Sequence, residues 1–108
     1  MMYITDLTKY VDENLSGNLS IEHLSAKSGC STATLKNKCI QTFGETIGEH
    51  IHKRKMYAAA RLLTSGKYWK VATIGKEIGY TNMSHFAARF YKFFGHYPHT
   101  VHIKPDDK

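Results

Sequence analysis

At 108 residues the chain has room for one domain, or for two very small ones that share an element, and none for a separate ligand-sensing domain. Its formal charge of +6 is unevenly spread: between Lys27 and Lys92 twelve Lys and Arg face only Glu45, Glu49 and Glu77, whereas Asp6, Asp12, Glu13, Asp106 and Asp107 lie toward the ends. A basic centre points to a polyanion partner, and no apolar run approaches the roughly 20 residues of a bilayer span.

The opening Met1-Met2-Tyr3-Ile4-Thr5-Asp6 lacks a signal-peptide pattern, so the expected location is the cytoplasm, on the nucleoid and away from membranes. Met1 and a first helix with its own start argue for a whole protein rather than a fragment of a larger regulator. Cys30 and Cys39 are nine apart, match no metal spacing, and read as reduced thiols.

In chain order, Ile4, Leu7, Val11 and Leu15 recur at helical spacing before Gly17, which predicts a first helix. Ser20 suits the N-cap of a short second helix carrying Ile21 and Leu24 and ending at Gly29. Ser31 caps a third helix to about Phe43, stopped by Gly44, and a long fourth helix runs from about Thr46 to Leu63. A fifth holds Val71, Ile74 and Ile78, and a sixth starts at Thr81 or Asn82 and carries Phe86, Phe90 and Phe94. Pro98 suits the first turn of a short seventh helix. Tyr68 and Trp69, after Gly66, read as a hydrophobic plug in the connection. No segment alternates as a strand does, so the fold class is all-α, with about seven helices.

One pattern occurs twice. Ser25-x-x-x-Gly29 precedes Leu35, Cys39, Phe43 and Gly44; Gly75-x-x-x-Gly79 precedes Phe86, Phe90, Phe94 and Gly95. A small residue four before a glycine allows two helices to approach closely, the glycine permits a tight left-handed turn, and the later apolar residues form one stripe of a second helix. This is the grammar of a helix-turn-helix. The expected organisation is a single domain, 1–108, with a first helix-turn-helix at about 20–44, a linker helix at about 46–64 and a second helix-turn-helix at about 70–95. A linker of about 18 residues is roughly 27 Å long, against about 34 Å between groove segments on one face of a duplex. One chain could therefore occupy two neighbouring segments of an asymmetric site without dimerising.

The string Leu19-Ser20-Ile21, Gly29-x-Ser31-x-x-x-Leu35, Phe43-Gly44, Ile51, Arg54, Ala59-x-x-Leu62-Leu63, Ile74, Gly79-Tyr80, Phe86-x-x-x-Phe90, Phe94-Gly95 and Pro98 resembles the AraC/XylS family of bacterial transcription regulators. In length it is similar to the short members of the MarA/SoxS type, which consist of the DNA-binding domain alone. The resemblance implies a two-lobed fold of seven helices, double-stranded DNA as partner, a monomeric or weakly dimeric state, and promoter activation through contact with RNA polymerase.

On the helical wheel Leu35, Cys39 and Phe43 face inward, which turns Ala33, Asn37 and Ile40 outward, flanked by Thr32, Lys36 and Gln41. The family's base-reading positions fall on Ala33, Lys36 and Asn37. Lys36 suits guanine O6 or N7 and Asn37 suits adenine; with Ser31, Thr32 and Gln41 they form the first candidate DNA-binding set. In the sixth helix Thr81, Asn82, Met83, Ser84, Ala87 and Ala88 form the second, with Met83, Ser84, Ala87 and Ala88 facing out. Lys27, Lys38, Lys70, Lys76 and Lys92 are candidate phosphate contacts, giving a log-log salt slope of roughly −4 to −7 for about five to eight neutralised phosphates.

Several positions depart from the family pattern. Ala88 stands where an arginine usually reaches DNA, with Arg89 turned toward the packing edge; Ala33 replaces a larger side chain, Lys55 and His102 replace arginines, Cys39 a phenylalanine, and His50 a tyrosine, the last as a packing substitution. His96, His99 and His102 read as a surface cluster, with Pro98 inside the trio, so neither metal nor cofactor is expected. No phosphate loop, placed nucleophile or paired carboxylates appear, so the chain reads as no enzyme. The leading function is a sequence-specific transcription activator; the alternative is an interaction protein or anti-regulator on the same fold, with weak or non-specific DNA binding.

Overall fold

The computed structural model describes residues 2–106. They form seven α-helices and no strand: α1 (Leu7–Glu13), α2 (Ile21–Ser28), α3 (Thr32–Phe43), α4 (Ile47–Leu63), α5 (Val71–Glu77), α6 (Met83–Phe94) and α7 (Pro98–Val101), with a 3-10 turn at Ile4–Asp6 ahead of α1. Two compact units divide the chain between Arg54 and Lys55.

The first unit is built on Leu7, Val11, Leu24, Leu35, Cys39 and Ile47, all buried. The first helix is shorter than its periodicity predicts. Its apolar spacing continues to Leu15, but α1 ends at Glu13, where the Asn14 side-chain amide donates to the Tyr10 carbonyl (2.8 Å) and Asn14 leaves helical geometry. Leu15 still packs against the core, from outside the helix. Ser20 caps α2, its hydroxyl accepting from the His23 amide (3.2 Å), and Gly29 ends it at φ 67°. Thr46 and Glu49 cap α4 reciprocally, at 2.9 and 3.1 Å.

Within this unit Arg54 grips Asp12 with two hydrogen bonds, Nε to Oδ1 at 2.9 Å and Nη2 to Oδ2 at 2.7 Å. That paired geometry joins α4 to α1. His50 is 4% exposed and stacks on half-buried Phe43, with ring centroids 4.3 Å apart. Its Nδ1 donates to Glu45 Oε1 (2.8 Å), since a carboxylate only accepts, and its Nε2 meets the Thr8 hydroxyl (2.8 Å). A packing substitution at His50 is thus also a buried polar junction.

The second unit is built on Met56, Ala58, Ala59, Leu63, Ile74, Ile78, Phe86 and Phe90. Phe86 meets Tyr80 (5.5 Å between centroids) and Phe90 (6.1 Å), while Phe94 is half-buried against Phe90 (4.6 Å). Gly75 is buried, and a Cβ there would fall 2.8 Å from Met83 Cε and 3.2 Å from Phe86 Cδ2. The absent side chain is what lets α6 close on α5. The C-terminal segment returns to α4, where the Ile103 amide donates to the Leu63 carbonyl (2.8 Å).

Replacing Phe86 with Ala should lower the stability of the second unit by about 3–5 kcal/mol, the range for emptying a buried aromatic site. Gly95→Ala, at φ 84° with no atom within 4 Å of the added carbon, should cost only about 1–2 kcal/mol of backbone strain. Denaturant unfolding followed by helical circular dichroism measures both; equal losses would contradict the packing described.

Candidate nucleic-acid interface

Both second helices start from a side-chain cap. The Ser31 hydroxyl accepts from the Thr34 amide (3.1 Å) at the head of α3, and Asn82 Oδ1 accepts from the His85 amide (3.0 Å) at the head of α6. The latter decides between Thr81 and Asn82 as cap. Capping satisfies a free backbone amide at each helix start and fixes the direction of the helix entry.

On α3 burial is one-sided. Leu35 and Cys39 are buried, whereas Ala33, Lys36, Asn37, Ile40 and Gln41 are exposed and Thr32 is half-buried, and Ser31 is exposed beside them. An ammonium, a carboxamide and a second amide therefore share one solvent face, which is the donor and acceptor set that base edges require. Burial pushes the Cys39 thiol pKa up, and the nearby Glu45 charge adds to it. Cys39 is accordingly a protonated core group, and both cysteines are free thiols.

On α6 Phe86 and Phe90 are buried, and Ser84, His85, Ala88 and Arg89 are exposed together with Thr81 and Asn82. Met83 departs from its expected outward placement: it is half-buried, with Sδ and Cε over Gly75. Ala87 is half-buried as well. Arg89 departs in the opposite sense, being exposed and donating from Nε to His85 Nε2 (3.3 Å). His85 and Arg89 thus add to this face a polar pair that the sequence reading left out. Their i, i+4 spacing was the signal that could have found them.

Lys27, Lys38, Lys70, Lys76 and Lys92 are all exposed, and Lys27 Nζ lies 5.3 Å from the Tyr10 ring centre. Lys55 is different: it is half-buried with Nζ 5.5 Å from the Tyr80 ring centre, and burial holds its pKa below the usual lysine value. His102 donates from Nε2 to the Tyr68 carbonyl (2.8 Å). Trp69 is 54% exposed and is no plug.

Behind α3, burial of Glu45 would raise its pKa, but hydrogen bonds from Lys53 (2.8 Å) and His50 and their charges outweigh this, and the net shift is downward. Because the folded-state value is depressed, its stabilisation is complete above the ordinary value of 4.5 and is lost as pH falls through the lower folded value.

The profile of a family described as "Helix-turn-helix domain" matches residues 24–102. The regulatory protein SoxS of Escherichia coli (strain K12) is 28% identical over 96 residues, which span 88% of each chain. The multiple antibiotic resistance protein MarA of Salmonella typhimurium is 25% identical over 100 residues, covering 93% of this chain and 78% of that protein. Among solved structures, the C-terminal domain of AraT, a response regulator from Geobacillus stearothermophilus, superposes with a TM-score of 0.83 at 23% identity over 91% of this chain and 81% of that one. The DNA-binding domain of AdpA, solved with a target DNA, gives 0.82 at 18% identity over 90% and 86%.

Acid titration of the first unit should show stability falling below about pH 4.5, and Glu45→Gln should flatten that dependence; an unchanged profile in chemical denaturation would contradict the role of the Glu45 cluster. The profile match covers most of the sequence, and the chain belongs to the AraC-type helix-turn-helix family of DNA-binding transcription regulators.

Proposed function

We propose that this protein is a sequence-specific transcription activator that binds an asymmetric DNA site as a monomer, inserting α3 and α6 into successive major-groove segments and contacting RNA polymerase. The observation that carries the reading is the one-sided burial of α3, in which Lys36 and Asn37 are exposed while Leu35 and Cys39 are buried. A helix entering the groove by its N-terminal residues presents such side chains to base edges. In this reading Lys36 donates to guanine O6 or N7 and Asn37 pairs with adenine, while Ser31, Thr32, Ala33 and Gln41 line the groove around them.

The second helix contributes differently. Ser84, Ala87 and Ala88 offer van der Waals contact to thymine methyls, and Arg89, with its guanidinium tethered to His85, stands in for the arginine that Ala88 replaces. Asn82 and Met83 hold the entry to α6 rather than reading bases, while exposed Thr81 borders the groove. Lys27, Lys38, Lys70, Lys76 and Lys92 neutralise phosphates. Exposed rings cluster toward the end of α6 remote from its cap: Tyr91 lies 4.6 Å from Tyr97, and Tyr57 lies 5.7 Å from Phe93. A polymerase contact there would leave the groove-facing end free.

Lys36→Ala and Asn37→Ala should each cost about 1–3 kcal/mol of affinity for the selected site and relax the preference at one base position. Binding to unrelated DNA and thermal stability should change little. Promoter response that survives both substitutions in a protein of native stability would refute base reading by α3, and would favour the interaction-protein alternative.

A further inference from the structure

The two helix-turn-helix units repeat with an offset of fifty, so that Leu19 corresponds to Trp69, Ser20 to Lys70, Ser25 to Gly75 and Gly29 to Gly79. At the entry to the first unit the pair is structural. Leu19 packs against the core, and Ser20 caps α2 through the His23 amide at 3.2 Å. At the second entry both roles are given up. Trp69 is 54% exposed, and Lys70 supplies α5 with no side-chain cap.

The loop holding this pair is nevertheless well fixed. The His102 imidazole donates to the Tyr68 carbonyl (2.8 Å), the Ile103 amide donates to the Leu63 carbonyl (2.8 Å), and the Lys67 amide donates to the Ser65 hydroxyl (3.3 Å). Exposure of Trp69 is therefore built into an ordered turn that also carries the exposed Lys67 and Lys70. A large apolar ring held in water and flanked in sequence by two exposed cations, where the sister unit packs a half-buried leucine against its core, suits a partner that is polyanionic and offers apolar edges.

We infer that Trp69, with Lys67 and Lys70, is a contact for the DNA sugar-phosphate backbone beside the second groove segment, its indole packed on deoxyribose and the two ammonium groups on flanking phosphates. This inference rests on the proposed DNA-binding function. In a helix-turn-helix the first helix crosses the backbone while the second enters the groove, which brings the residues leading into α5 to the phosphates. An indole joins a flat apolar body to a single N–H donor, and that combination matches a sugar edge next to a phosphate oxygen.

Trp69 is the sole tryptophan, so the contact reports on itself. The test is a titration of the purified full chain with an end-labelled duplex of roughly 30 base pairs, long enough for two groove segments, at low salt, following label anisotropy and tryptophan emission together. The expected result is an emission change and protection from acrylamide quenching that saturate along the anisotropy curve. Trp69→Ala should weaken binding roughly 5- to 30-fold, as loss of an aromatic contact to a nucleotide does, without changing the salt slope. Lys67→Gln should reduce the magnitude of that slope by about 0.9. Trp69→Phe should restore most of the affinity, and thermal melts establish that each variant is folded. Saturated anisotropy with emission and quenching unchanged in the wild-type protein would overturn the contact while leaving DNA binding intact. Absence of any anisotropy change would overturn the proposed function and the contact with it.

Discussion

Each half of this molecule depends on how closely a short helix can approach the helix that follows it. In the second unit the approach is set by Gly75, where even one carbon would collide with Met83 and crowd Phe86. In the first the matching position is Ser25, whose hydroxyl donates to the Cys30 carbonyl and ties the turn to α2. The turn itself needs glycine, with φ 67° at Gly29 and 99° at Gly79, a region in which a side chain is strained. Close approach buries Leu35 and Cys39 in one unit and Phe86 and Phe90 in the other. The same packing turns the opposite faces of α3 and α6 to solvent, and the exposure of the residues on those faces is a by-product of the core.

Packing also accounts for several basic residues of the two units. Lys55 lies against Tyr80, His102 secures the turn at Tyr68, and His50 fills a site where both ring nitrogens meet a partner. These basic groups hold the fold, and Arg54 is engaged by Asp12. Exposed positive charge is carried by Lys36 and Lys38 on α3, by lysines at helix ends and turns such as Lys27, Lys67, Lys70, Lys76 and Lys92, and by Arg61 and Arg89. An interface of this make-up leans on phosphate attraction for affinity and on few base contacts for discrimination.

The repeat was legible because turn chemistry is local: Ser20, Ser31, Gly29, Gly44 and Gly95 each mark a helix end through their own backbone or side-chain preference. What escaped the sequence was set by contacts between segments. Leu15 keeps the helical period yet lies outside α1, because a core can be reached from a loop as well as from a helix. Met83 is outward on a helical wheel, but its flexible thioether folds into the space that Gly75 leaves. Thr81 and Asn82 are both cap-forming residues, and only the bond to the His85 amide separates them. Large aromatics are usually covered, which favours a plug at Trp69, whereas the loop that carries it is pinned from the C-terminal side, a constraint invisible in its neighbours.

The proposed function requires that one chain read two groove segments with two unlike helices. Selection of binding sites from a random duplex pool with the purified protein, at two salt concentrations, tests it most directly. The expected result is a single asymmetric motif spanning about two helical turns, with sharper base preference in the half assigned to α3 and a steep loss of yield at higher salt. A palindromic motif would contradict binding by one chain, and salt-sensitive recovery of featureless sequence would contradict base reading altogether.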